Sequence, residues 1–273
     1  TQWRNDRSSF EPHWRELAEQ FAPRRTRFFV EDKNRGDKRM TKIINEAGLL
    51  AARTLRAGMM SGITSPARPW RRLTTPDPEL AEFGPVKRWL HLVNQRMTTM
   101  NLRSNFYNVV PLLYGDMGTF ATGAVGIFDD EEDLYRYVSF PLGSYWLAVN
   151  HRNVVDTFMR ELQMTVRQLI TRFGDPTQSG DKLWANFSKD VKNKWDRGDY
   201  DVPVNITHVI LPNPDWHPRA ALLSAKHKRF ADLYFEGSTS SAGGQTSERL
   251  GDQFLRESGF DLFPIMAPRS EVT

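Results

Sequence analysis

GAVGIFDDEEDLYRYVSF, residues 123–140, is where the chain changes its period. Two short runs rich in Val, Ile, Phe and Tyr flank five consecutive acids, the pattern of a hairpin with a polar tip. Strands are predicted at Ala124–Phe128 and Leu134–Phe140, with Asp129, Asp130, Glu131, Glu132 and Asp133 as the loop.

Upstream of this stretch the spacing is helical. Ser9 can cap a helix from Glu11 to Phe21, with Pro12 in its first turn, Trp14, Leu17, Ala18 and Phe21 on one face and Pro23 ending it. A second helix is expected from Thr41 to Gly62, striped by Ile44, Ala47, Ala51, Leu55 and Met59, with Lys42 and Glu46 as an i,i+4 pair. Its small residues, among them Gly48, Ala52, Ala57 and Gly58, predict close packing against another helix. A third runs from Pro85 to Asn101 with Trp89, Val93 and Met97 aligned. Ser104 is expected to cap a fourth, carrying Phe106, Val109, Val110, Leu113 and Phe120, which Pro111 should kink or restart.

Downstream, Tyr145–Val149 and Val154–Met164 read as strands, and Thr165 caps a helix to about Phe173. An amphipathic helix over Asp181–Arg197 presents Leu183, Trp184, Phe187 and Val191. Val204–Leu211, Arg229–Phe235 and Leu262–Ala267 are further strands, while Phe28–Lys38 and Gly237–Ser247 are loops. The fold class is α+β: a helical first part, a small antiparallel sheet, a helical connector and a β-rich end.

A chain of 273 residues makes one large or two modest domains, and eight Trp and 17 Phe can fill a sizeable core. With 39% hydrophobic residues it is too apolar for disorder. The absence of Cys excludes disulfides and cysteine-ligated zinc. No apolar run approaches the roughly 18 residues of a membrane span, and no signal-peptide pattern opens the chain; a soluble protein is expected, with residues preceding Thr1. Charge is uneven. Residues 1–72 hold 16 Lys+Arg against 8 Asp+Glu, and the remainder 21 against 25. That asymmetry fits contact with a polyanion, or complementary faces between subunits.

Candidate chemistry is sparse. GTFATGAVG, residues 118–126, has the glycines of a phosphate loop but lacks Gly-Lys-Ser/Thr and follows a helix, so Gly123 reads as a helix stop. Asp129–Asp133 could hold a divalent cation for hydrolysis, but five acids in a row point in different directions, and a solvated tip is favoured. His13, His91, His151, His208, His217 and His227 show no zinc spacing and read as surface or packing residues. No cofactor or metal is expected. Lys189, Lys192, Lys194 and Arg197 share a helix with Trp184, Phe187 and Trp195, a pattern that fits nucleic-acid contact and, equally, a solvated amphipathic helix. Arg24, Arg25 and Arg27 read as a solvated basic loop.

In SGITSPARPWRRL, residues 61–73, Gly62 should end the second helix, and Pro66 and Pro69 hold the next residues extended. Trp70 and Leu73 dock apolar surface, and Arg68, Arg71 and Arg72 stay wet or meet acids.

The longer run TLRAGMMSGITSPARPWRRLTTPDPEL (54–80), then GPVKRWL (84–90) and RSNFY (103–107), resembles the head-to-tail connecting (portal) proteins of short-tailed double-stranded DNA bacteriophages. RSSFEPHWRELAEQFAPRR (7–25), TVRQLITRFG (165–174) and FPIMAPRSEV (263–272) extend the resemblance over nearly the whole chain. Gly58, Gly62, Pro66, Pro69 and Trp70 are its structural signature here. The resemblance implies a ring of twelve subunits at one capsid vertex of the virion, assembled in the host cytoplasm, with double-stranded DNA passing through its channel during packaging and ejection. Terminase, tail or adaptor proteins, capsid and scaffold proteins are the implied partners, with no membrane and no enzymatic activity. It further implies that residues 1–164 form a wing, 165–198 a helical connector into the stem, and 199–273 a clip-like region. The second stem helix, tunnel loop and crown of the family would lie beyond this chain. On this reading Lys189, Lys192, Lys194 and Arg197 are candidates for the DNA channel, and Arg68, Arg71 and Arg72 for subunit contacts. The competing readings are another virion connector (adaptor or tail-completion protein), a metal-dependent nuclease using Asp129–Asp133, and a plain DNA-binding module.

Overall fold

A computed structural model describes residues 7–28, 43, 45–130, 132–174, 184, 186–237 and 254–269. The chain divides into two compact units, one containing Gly143–Phe263 with Thr1–Pro12 and Thr26–Asp37, the other His13–Arg25, Lys38–Leu142 and Pro264–Thr273.

Helix α1 (Glu11–Phe21), most of which belongs to the second unit, has the predicted bounds. Helix α2 is Ala47–Ile63, with Thr64 as its C-cap, so Gly62 does not end it. Thr41, Lys42 and Ile44 lie outside the described residues. Asp77 caps a short α3 (Pro78–Glu82) by accepting from the amides of Glu79 and Leu80; α4 is Gly84–Arg103 and α5 Phe106–Phe120. Helix α5 runs unbroken through Pro111.

Close packing of α2 is real, but α5 supplies much of the space. A Cβ added at Gly118 would lie 2.7 Å from Leu55, and one at Gly115 3.1 Å from Arg56. Gly48 meets Phe21 on α1. Gly58 and Gly62 face open space among the described residues.

Ser104 is the C-cap of α4, one residue before the N-cap position of α5, but its hydroxyl does accept from the Phe106 amide at 3.3 Å, the first amide of α5. Asn105 holds the N-cap position, and its side chain is spent on Tyr137, donating to that residue's carbonyl and accepting from its amide. Strands β1 (Ala124–Asp130) and β2 (Leu134–Phe140) form the predicted hairpin, and the short β8 (Ile265–Met266) pairs with β1, giving the order β2-β1-β8. Phe106, Val109, Val110, Leu113, Tyr114, Val125 and Tyr137 make the core.

The other unit is built on a five-stranded antiparallel sheet in the order β3-β4-β5-β6-β7. Its strands are β3 (Tyr145–Val149), β4 (Val155–Thr165), β5 (Pro203–Pro212), β6 (Phe230–Glu236) and β7 (Arg256–Phe260). Positions 164 and 198 therefore fall inside one folded body: β4 and β5, on either side of them, pair from Phe158↔Ile210 to Thr165↔Pro203. Between them stand α6 (Val166–Phe173) and α7 (Lys189–Asp196). Thr165 caps α6 with a full capping box, its hydroxyl accepting from the Gln168 amide while the Gln168 side chain accepts from the Thr165 amide. Of the helix expected over Asp181–Arg197 only Lys189–Asp196 is helical: Trp184 and Phe187 lie in a turn and a bend ahead of the Ser188 cap, and they reach the core from there. Asp181 and most of the loop at 237–247 lie outside the described residues. Val166, Leu169, Trp184, Phe187, Val191, Ile206, Tyr234 and Leu255 form the core.

Candidate functional site

The basic helix α7 starts at Ser188, whose hydroxyl accepts from the Val191 amide. Val191 faces the core. Lys189 and Arg197 are exposed, and Lys194 pairs with Asp190 at 2.6 Å, one turn away. With Asp190 and Asp196 among them, the four cations sit on a charge-mixed face. Trp184 and Phe187 are buried, in edge contact at 5.8 Å, and Trp195 packs against their cluster. The faces of Trp184 and Phe187 are committed to packing and are not open for base stacking.

At the SPARPWRRL corner, Trp70 lies parallel to Phe106 with centroids 5.9 Å apart, and its indole N–H donates to the Tyr107 hydroxyl at 3.3 Å. Arg71 stacks over Trp70 at 5.2 Å. Arg68 donates to the carbonyl of Ser61 at 3.2 Å, while Arg72 is exposed. Arg68, Arg71, Trp70, Asn94 and Thr98 line a cavity of about 320 Å³. Arg71 Nε and Asn94 Oδ1 are buried without a hydrogen-bond partner among the described residues.

The hairpin acids do not converge. Asp129 opposes Tyr135 and Asp130 opposes Leu134, so the two carboxylates leave opposite faces of β1. Asp130 accepts from the amides of Glu132 and Asp133, and these bonds hold its pKa below the usual aspartate value. Among the described residues no three metal-ligating side chains come together; Glu131 lies outside them. In GTFATGAVG the helix stops at Phe120 and the left-handed residue is Ala121, φ 60°. Gly123 is not the stop. A Cβ there would lie 2.8 Å from Leu113, so it serves close approach.

One member of the expected solvated loop is an anchor. Arg25 grips the buried carboxylate of Asp116 with two bonds, Nε–Oδ1 at 2.8 Å and Nη2–Oδ2 at 2.6 Å, and also donates to Ser139. Burial pushes the Asp116 carboxyl up, against the opposing pull of Arg25 and then Arg56.

Among the described residues these surfaces bring together no convergent reactive centre. The family described as "Bacteriophage head to tail connecting protein" matches residues 1–273. The chain belongs to that family. It is 44% identical over 271 residues to the "Portal protein" of Salmonella phage epsilon15, covering 99% of this chain and 45% of that one. It is 36% identical over 268 residues to the "Probable portal protein" of Bordetella phage BPP-1, covering 98% of this chain and 44% of that one. The chain thus spans somewhat less than half the length of these relatives.

In this family member, one polar network escaped the sequence reading. Arg160, His208 and Asp232 sit on β4, β5 and β6. Arg160 Nε donates to His208 Nδ1 at 3.0 Å, and His208 Nε2 lies 2.6 Å from Asp232 Oδ1. Tyr234 stacks flat on the imidazole at 4.0 Å, and Arg172 donates to the Tyr234 hydroxyl at 3.2 Å. Burial first, opposed by the bond to Asp232 and reinforced by Arg160, lowers the His208 pKa to about 4. Both ring nitrogens are occupied, so this histidine is no free general base; it is a fully buried packing residue. Cross-strand pairing was the missing signal: Arg160↔His208 becomes visible once β4 and β5 are in register.

Proposed function

We propose that this chain belongs to a portal subunit, a structural protein that forms a ring at the capsid vertex of a phage. In this role it is a conduit for double-stranded DNA and a docking platform for terminase and for tail or adaptor proteins. The observation that carries the reading is the family match across all 273 residues, joined to two relatives called portal protein. The charge-mixed face of α7 suits guiding a duplex: many strong phosphate contacts would bind it tightly and resist sliding. We assign Lys189, Lys192, Lys194 and Arg197 to that guiding role.

Arg68, Arg71 and Arg72 are assigned to subunit contacts. The unsatisfied Arg71 Nε and Asn94 Oδ1 favour this, because each unpaired buried group costs about 1–3 kcal/mol that a polar group entering the cavity would relieve. Wing, connector and clip-like labels go with the same reading for residues 1–164, 165–198 and 199–273. Because β3–β7 form one sheet, these five strands would move together.

Electron microscopy of the purified full-length protein tests the class: a closed ring with a duplex-wide channel is expected. Phage heads assembled without the protein should hold no DNA. Heads that package normally would overturn the proposal.

A further inference from the structure

Beside the Arg25–Asp116 pair lies a cavity of about 300 Å³ whose lining includes Arg24, Arg53 and Arg56. All three are exposed, and none has a carboxylate within ion-pair distance among the described residues. Asp116 is already held by Arg25. Three like charges around one cavity repel each other, and an anion supplied from outside would relieve this. The lining is not uniformly polar: Leu49 and Leu112 contribute apolar surface. The matching ligand therefore carries several negative charges and an apolar group together. A phosphate backbone has the first and lacks the second.

The chain contains such an object. At the β1–β2 tip, Asp129, Glu132 and Asp133 are exposed, and none forms an ion pair among the described residues. Glu132 and Asp133 line a cavity of about 410 Å³ together with Arg96 and Arg103, without reaching ion-pair distance of either among the described residues. Leu134, at the same tip, is 62% exposed. Within a cyclic ring each subunit presents two different, complementary patches. We infer that the arginine-lined cavity receives the acidic β1–β2 hairpin tip of a second copy of this chain, with carboxylates on the arginines and Leu134 on the apolar lining. This inference rests on the ring assembly proposed above.

The test uses the full-length protein. An Arg53→Cys/Glu132→Cys variant treated with a short bis-maleimide should give a ladder of linked subunits, with neither single variant doing so. Arg53→Glu/Arg56→Glu should lower ring yield about tenfold at fixed protein concentration through like-charge contact. Adding Asp129→Arg/Glu132→Arg to the same chain should restore it. Rings that form without a double-cysteine ladder would overturn the inference and leave the portal reading standing. So would a charge reversal that weakens DNA binding alone, which would assign the cavity to phosphates. A wild-type protein that forms no ring would overturn both.

Discussion

Arg160 and His208 fix each other: the guanidinium N–H points at Nδ1, so the imidazole proton sits on Nε2 and faces Asp232. A charged imidazole would have to surrender the Arg160 bond. The folded pKa of about 4 lies below the ordinary value of 6.5, so the unfolded chain takes up the proton first. Stability from this site is therefore complete above about pH 6.5 and is lost as pH falls toward 4, by about 3 kcal/mol in all. Urea unfolding at pH 8 and pH 4 should show this slope, and His208→Gln should flatten it.

Removing Arg25 strands a buried carboxylate. Arg25→Met should cost about 3 kcal/mol in urea denaturation. Arg25→Met with Asp116→Leu should recover most of that loss, because the desolvated charge is gone along with its partner.

Backbone geometry predicts opposite effects at two small residues. Ala121 adopts φ 60°, a region where a Cβ costs about 1 kcal/mol, so Ala121→Gly should raise stability by about 0.5–1 kcal/mol. At Gly259 an added Cβ would collide with the carbonyl oxygens of Ala225 and Phe230. Gly259→Ala should destabilise by about 1–3 kcal/mol. Thermal melts of the two variants check both signs.

Around α7 the aromatic and basic residues should separate cleanly. Trp184→Ala should cost about 3–5 kcal/mol because it empties part of a core. Exposed Arg197→Gln should change stability by less than about 0.5 kcal/mol and reduce the salt slope of DNA binding by about one.

The elements with strong local signals were legible from sequence. The bounds of α1, β2 and β3 and the Thr165 cap needed only spacing and capping chemistry. Strand β7 was not legible: RESGF carries two charges and a glycine, and what holds it is pairing to β6 and the close approach that Gly259 allows. Strand β5 was legible as a strand, but not its burial: Ile206–Ile210 is buried on both faces, and polar Thr207 and His208 are satisfied by partners far along the chain. The α7 cations were legible as a group, but their aromatic neighbours took their meaning from burial. Arg25 reads as a loop cation until Asp116, on α5, is seen to meet it. The arginine cavity joins residues of α2 to the chain after α1, an adjacency that no spacing in the sequence encodes.

Strand β2 is an outer strand of its sheet, and the Asn105 amide binds both the N–H and the C=O of Tyr137. One side chain thereby imitates a missing neighbouring strand. Outer strands with free N–H and C=O groups recruit other chains and seed aggregates. At Tyr137 that template is already occupied, so copies of this protein crowded together at high concentration are steered away from fusing edge to edge at that point.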